Sequence, residues 1–236
     1  EVDVIKNAIE YALTPKTLQG KNILITAGPT HEAIDPVRYI SNASTGKMGL
    51  ALTKSCLKRG ANVTLVLGPT HLSTQSWQAI APLTIIPVVS SSEMCEQTVS
   101  AFQHADISIL CAAVADFTPT TAAKQKIKKE PGQTSMTLEL QTTTDIAATL
   151  GKQKRADQTL VGFALETHNE LTNAQRKMQS KNLDMIVLNS LQDPGAGFGV
   201  DTNKVTLLYP DGSQKNLPLI SKEAVADAII EAINPS

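Results

Sequence analysis

The stretch ITAGPTHEAIDPVRYISNASTGKMG (25–49) begins like the end of a buried strand and finishes like the start of a helix. Such a connection normally takes a handful of residues, and here about twenty intervene, rich in Pro, Asp, Ser, Thr, Asn and Gly. Its tail has the look of a GxxxxGK[ST] phosphate loop, but the first Gly would fall at Ser41 and Met48 follows Lys47. It is not the GxGxxG dinucleotide fingerprint either. What survives is physical: Ser44, Thr45 and Gly46 lead into a helix N-terminus, where unpaired N–H groups and the helix dipole favour an anion such as phosphate. Ser44 or Thr45 could equally cap that helix, an effect of about 1 kcal/mol, and the two roles are compatible.

A second candidate is KQKIKKEPG (124–132), with four lysines in six positions. A charge run is ordinarily a solvated face. This one follows a strand end and a long polar loop, so it could also close over a nucleotide and neutralise charge developing on phosphorus. Asp116, at that strand end, could orient a metal or nucleotide group, or cap the turn. AGPTH (27–31) is echoed by LGPTH (67–71), each just past a strand. Gly-Pro is common turn chemistry, yet both turns, Gly28 included, would lie on the rim where α/β sheets bind ligands. His31, His71, His104 and His168 form no ligand-spaced pair. No GxSxG elbow marks a serine nucleophile, and Cys56, Cys95 and Cys111 lie in no activating context.

The elements that must position these residues alternate. Strands are expected at 22–27, 61–68, 83–89, 106–115, 135–140, 159–165 and 184–190. Helices are expected at 47–60, over SSEMCEQTVSAFQHA with Ser91 or Ser92 as cap, over DIAATLGKQK, over NELTNAQRKMQSKN and over SKEAVADAIIEAI. NKVTLLY, PDGS and QKNLPLI form a hairpin with an Asp-Gly turn. The sum is an α/β, doubly wound, Rossmann-like and mainly parallel sheet with helices on both faces and a hairpin annex in the second half. Residues 2–13 read as a short amphipathic helix and 15–20 as a linker. At 236 residues with a formal charge of -1, the chain lacks the basic excess of a nucleic-acid or membrane-surface binder. No apolar run spans a bilayer, the start lacks a signal peptide's pattern, and three scattered cysteines suit a reduced, cytoplasmic protein.

The topology makes an NAD(P)-binding oxidoreductase the natural rival, with a non-catalytic nucleotide-binding module as a further alternative. Against the first, the second strand ends LVLGPT without an acid for a ribose hydroxyl, and no Tyr is followed four residues on by Lys. Five blocks in order, ITAGPTHEAIDPVRYISNASTGKMG, CAAVADF, KIKK, VGFALET and KNLDMIVLN, resemble the phosphopantothenate–cysteine ligases (phosphopantothenoylcysteine synthetases). The similarity is closest to the bacterial type, the C-terminal half of a bifunctional protein with a flavin-dependent decarboxylase in front. It implies a ligase domain over 21–236, with 1–20 as helix and linker from a preceding domain, and FMN only in that missing domain.

The resemblance implies that the carboxylate of 4'-phosphopantothenate attacks the α-phosphate of CTP, with Mg²⁺, and that L-cysteine then displaces CMP from the acyl-cytidylate. Asn42 would hold the acyl-cytidylate through its amide, and Arg38 would suit a carboxylate or phosphate. Lys126 would stabilise phosphate and serve the second half-reaction. The nucleotide is expected against Ala112, Asp116, Thr144, Asp145, Ile146, Phe163, Lys177 and Lys181. Thr144 stands where the family usually has Pro, which takes rigidity from that turn. The metal ligands stay open, and a homodimer is expected, formed through strands of the second half.

Overall fold

Every residue of Asn22–Ala27 after Asn22 is buried, and its side chains enter two separate cores. Ile23, Ile25 and Ala27 join one, and Leu24 the other. A strand with two apolar faces must be covered on both sides. The computed structural model describes residues 2–166, 169–190 and 199–234, and it supplies that cover.

In chain order the elements are α1 (Val2–Leu13), β1 (Asn22–Ala27), β2 (His31–Ala33), β3 (Tyr39–Ser41), α2 (Lys47–Lys58), β4 (Asn62–Leu67) and α3 (Gln75–Gln78). Then come β5 (Leu83–Pro87), α4 (Ser91–Phe102), β6 (Ile107–Leu110), β7 (Phe117–Pro119), β8 (Leu140–Thr142), α5 (Ile146–Gln153) and β9 (Thr159–Glu166). The last are α6 (Glu170–Ser180), β10 (Met185–Ser190), β11 (Thr202–Asn203), β12 (Val205–Leu208), β13 (Gln214–Asn216), β14 (Ile220–Ser221) and α7 (Lys222–Ile233).

The main sheet runs β13-β12-β10-β9-β6-β1-β4-β5. It is parallel from β5 to β10, with β12 and β13 antiparallel. Helices α2 and α7 cover the face of Ile23 and Ile25; α4, α5 and α6 cover the face of Leu24. From β1 the chain winds outward through β4 and β5, then returns to β6 on the other side of β1. The strand order therefore reverses between β1 and β6, and a crevice opens at the carboxyl ends of those strands.

The doubly wound sheet agrees with the sequence expectation, and three details differ. The hairpin is no annex: β12 pairs with β10 and extends the main sheet. Residues 135–139 form no strand, and only Leu140–Thr142 pairs, with β7. Met136 stays 45% exposed, so the alternating SMTLEL pattern has no apolar face to bury. The α4 cap is Ser90 rather than Ser91 or Ser92, in a capping box with Glu93. Ser91 is taken otherwise: its N–H and hydroxyl donate to the buried Glu32 carboxylate at 2.8 and 3.1 Å. The two long loops are also partly ordered, β2 pairing with β3 and β7 with β8, and together they form an arm beside the crevice. Among the described residues no helix is long and apolar enough to cross a membrane.

Candidate active site

The two Gly-Pro turns meet at the head of the crevice. The Gly68 N–H donates to the Ala27 carbonyl at 2.9 Å. A Cβ on Gly68 would sit 1.8 Å from the Pro29 carbonyl oxygen, so only glycine allows this approach. Gly28 has φ +81°, and its carbonyl accepts from the Ala113 N–H at 2.9 Å. The AGPTH and LGPTH echo thus fuses two turns into one rim and ties that rim to the end of β6.

Beside the rim, α2 begins at Gly46, whose φ is also +81°. Neither Ser44 nor Thr45 caps it: the Ser44 hydroxyl accepts from the Gly46 N–H at 3.3 Å, and the Thr45 carbonyl accepts from the Thr70 hydroxyl at 2.9 Å. Without a side-chain cap the helix end keeps its capacity for an anion. It opens on a small cavity lined by Ser44, Thr45, Gly46, Asn189, Asn203 and Lys222. The side-chain oxygen of Asn189 is buried there with no hydrogen-bond partner among the described residues. Burial lowers the pKa of Lys222, whose ammonium donates to the Val200 and Thr202 carbonyls. Lys47 bridges to Asp201 at 2.6 Å. Burial pushes the Cys111 thiol up to about 12, which keeps it protonated and unfit as a nucleophile.

A larger cavity of about 460 Å³ adjoins it across the ends of β6 and β9, a size suited to a small-molecule ligand. Both cavities share Ala112, Ala113 and Phe163. The larger one brings together Asp116, Thr144, Asp145, Ile146, Lys177 and Lys181, residues drawn from three separate loops and helices. Asp145 caps α5 by accepting from the Ala148 N–H at 2.9 Å, and Lys181 bridges to its other oxygen at 2.9 Å. Burial alone would raise the Asp145 pKa, but the Lys181 and backbone hydrogen bonds outweigh it and hold the carboxyl below its ordinary value. The turn at Thr144, where the resemblance leads one to expect Pro, is pinned one residue earlier. Thr143 donates its N–H to the Asp116 carbonyl at 3.0 Å and its hydroxyl to the Ala115 carbonyl at 2.7 Å.

The long first loop reaches the same place. The Asn42 amide donates to the Ala113 and Val114 carbonyls at 3.2 and 2.9 Å, which sets it at the strand end. Arg38 is occupied differently from the sequence expectation. Its guanidinium forks onto the buried Asp35 carboxylate and donates to the Ile127 carbonyl at 2.9 Å. The Asp35 carboxyl is held well below the carboxylate range, first by Arg38 and then by backbone N–H groups, against the opposing effect of burial. Lys126 is exposed on the loop that Ile127 anchors.

The sequence reading missed Asp35, Asn189, Asn203 and Lys222. Asp35 had a signal, since Asp-Pro followed by Arg is turn chemistry with a built-in partner. The other three have none, because only the fold brings them to the cavity. His168 and Thr167, the last residue of VGFALET, lie outside the described residues. Among the described residues no group of three His, Cys, Asp or Glu side chains is arranged to hold a metal.

A family model described as the DNA/pantothenate metabolism flavoprotein C-terminal domain matches residues 18–235. The chain belongs to this family. It is 47% identical over 220 residues to the coenzyme A biosynthesis bifunctional protein CoaBC of Bacillus subtilis (strain 168), covering 93% of this chain and 52% of that protein. It is 49% identical over 235 residues to a cysteine/cysteine sulfinic acid decarboxylase of an unknown prokaryotic organism, covering 98% of this chain and 64% of that protein. The chain therefore spans between half and two-thirds of these curated relatives. Among solved structures, the C-terminal domain of CoaBC superposes with a TM-score of 0.76 at 40% identity, covering 93% of this chain and 96% of that one.

Proposed function

We propose that the crevice joins 4'-phosphopantothenate to L-cysteine, with CTP as the activating nucleotide. In the first step a carboxylate oxygen attacks the α-phosphorus, and the bond to pyrophosphate breaks. In the second the cysteine amine attacks the acyl carbon, loses a proton and expels CMP, a far better leaving group than the oxide of a free carboxylate. The observation that carries this reading is the Asn42 contact. The amide is held on the carbonyls of Ala113, which lines both cavities, and Val114, which lines the larger one, and this supports a role for it beside the nucleotide. On substrate binding the amide would turn its N–H groups from those carbonyls to the acyl-phosphate, while Lys126, on its anchored loop, supplies positive charge. Mg²⁺ is bound largely by nucleotide phosphates with one or two carboxylates, and Asp116 on the cavity wall is the residue to complete its shell.

The same reading makes the protein cytoplasmic and starts the ligase domain at residue 21. It places a flavin-dependent decarboxylase ahead of this domain in the full-length protein, with FMN confined there. The decarboxylase name of one relative suggests a second reading, release of CO₂ from cysteine or its sulfinate.

The test is pyrophosphate release with 4'-phosphopantothenate and either CTP or ATP, with and without cysteine, and CO₂ followed in parallel. The expected result is CTP-dependent pyrophosphate and CMP, with phosphopantothenoylcysteine formed only when cysteine is present. Asn42→Asp should still bind CTP but lose on the order of 10²-fold in product formation, since the carboxylate repels the two carbonyls that hold it. Wild-type turnover by Asn42→Asp, or CO₂ without pyrophosphate, would sink the proposal.

A further inference from the structure

Asp35 is the one buried carboxylate among the described residues that joins both long loops of the crevice. It lies between β2 and β3 and is 4% exposed. One oxygen accepts from the Val37 and Arg38 N–H groups, each at 2.9 Å, and closes the DPVR turn on itself. The other accepts from the Arg38 guanidinium and from the Ile127 N–H at 3.1 Å, which lies on the lysine loop 92 positions away. Arg38 completes the ring by donating to the Ile127 carbonyl at 2.9 Å. Both backbone groups of Ile127 are thus fixed. A further backbone bond, from the Ala123 N–H to the Ile34 carbonyl at 2.9 Å, ties the start of the same loop.

The consequence lies in what flanks these bonds. Lys126 immediately precedes Ile127, and Asn42 follows Arg38 by four residues across the short strand β3. A run of lysines in an exposed loop would otherwise sample many positions, and its charge would be diluted by solvent. Hydrogen bonds to a charged, buried acceptor are stronger than neutral ones and hold a loop at one register.

We infer that Asp35 is a positioning residue: through Arg38 and Ile127 it sets Lys126 against the acyl-phosphate loop that carries Asn42. The inference rests on the ligase reading for its chemistry but not for its geometry. Asp35 touches no reacting atom. Its removal releases the lysine loop while the nucleotide cavity, built from Asp145, Phe163 and Lys181 on other elements, stays intact.

Asp35→Asn tests this in the protein as it stands. The amide keeps the shape but forfeits the charge, and with it the Arg38 fork. Hydrogen exchange should show lost protection at residues 124–129 with the sheet strands unchanged. CTP should bind with unaltered Kd while kcat falls roughly 10- to 100-fold, as for a misplaced catalytic group. In a double-mutant cycle, Asp35→Asn should add little to Lys126→Ala, because both remove the same positioned charge. Should Asp35→Asn fail to fold, Arg38→Lys keeps the cation, loses the fork, and should give the same local exchange. Unchanged exchange at 124–129, or losses that multiply in the double variant, overturns the inference. A wild-type protein that releases no pyrophosphate overturns the ligase reading instead, and the exchange arm still decides whether Asp35 holds the loop.

Discussion

Lys181 and Asp145 show how one pair can serve stability and binding together. Lys181 approaches from just beyond α6 and Asp145 from the cap of α5, so their bridge closes one wall of the larger cavity. The Asp145 side chain is 49% exposed, so solvent screening limits the pair to a few tenths of a kcal/mol. Its folded-state pKa is lowered, so that contribution is full above the ordinary carboxylate value of about 3.9 and is lost as pH falls through the folded value. Lys181→Met should lower the melting temperature slightly at pH 7, and the gap to wild type should narrow progressively as pH falls below about 4. Thermal melts from pH 7 down into the acid range check this; a gap that does not narrow with acid would mean the loss came from packing. The same variant should weaken CTP binding, which calorimetry reads directly.

At the scale of elements, the crevice depends on how closely α2 sits on β1. A Cβ on Gly49 would lie 2.3 Å from the Ala27 Cβ, so the helix can reach the strand only because this position has no side chain. Gly49→Ala should push the N-terminus of α2 off the rim and cost about 1–3 kcal/mol, the usual penalty of overpacking. Denaturant unfolding measures the stability, and a matched loss of nucleotide affinity is expected. Lost stability with unchanged nucleotide affinity would mean that the helix end is not the phosphate platform. Much of this was legible beforehand. NILITA and TLVGFAL read as strands because apolar runs of that length suit a doubly covered sheet. The pieces that escaped were short: β2, β3, β7 and β11 hold two or three residues each, too few for any periodicity to register.

The whole molecule presents apolar side chains on the arm beside the crevice. Val37, Tyr39, Phe117 and Leu140 are between 42% and 60% exposed, and all lie on or beside the strands β2, β3, β7 and β8. A surface of this kind favours association. We propose that the expected homodimer buries this arm, although β13 of the second half also leaves a free sheet edge among the described residues. Sedimentation velocity should give a dimer, and Tyr39→Asp with Phe117→Asp should give a monomer. A wild-type monomer at micromolar concentration would remove the dimer from the proposal.

The sequence by itself determined the parallel strands of the main sheet and the helices between them, the rim turns at Gly28 and Gly68, and the polar loops in which Asn42 and Lys126 would be found. These follow from local chemistry: apolar periodicity, turn residues and helix-start signals act over a few positions. Only the tertiary structure decided that Ile127 is held on the Asp35 carboxylate and that Lys222 and Asn189 line one cavity beside the start of α2. Such contacts join distant residues: Asp35 and Ile127 are 92 positions apart, and Lys47 and Asp201 are 154. Nothing local encodes such pairings, because they arise where parallel strands end together and their loops must share one crevice.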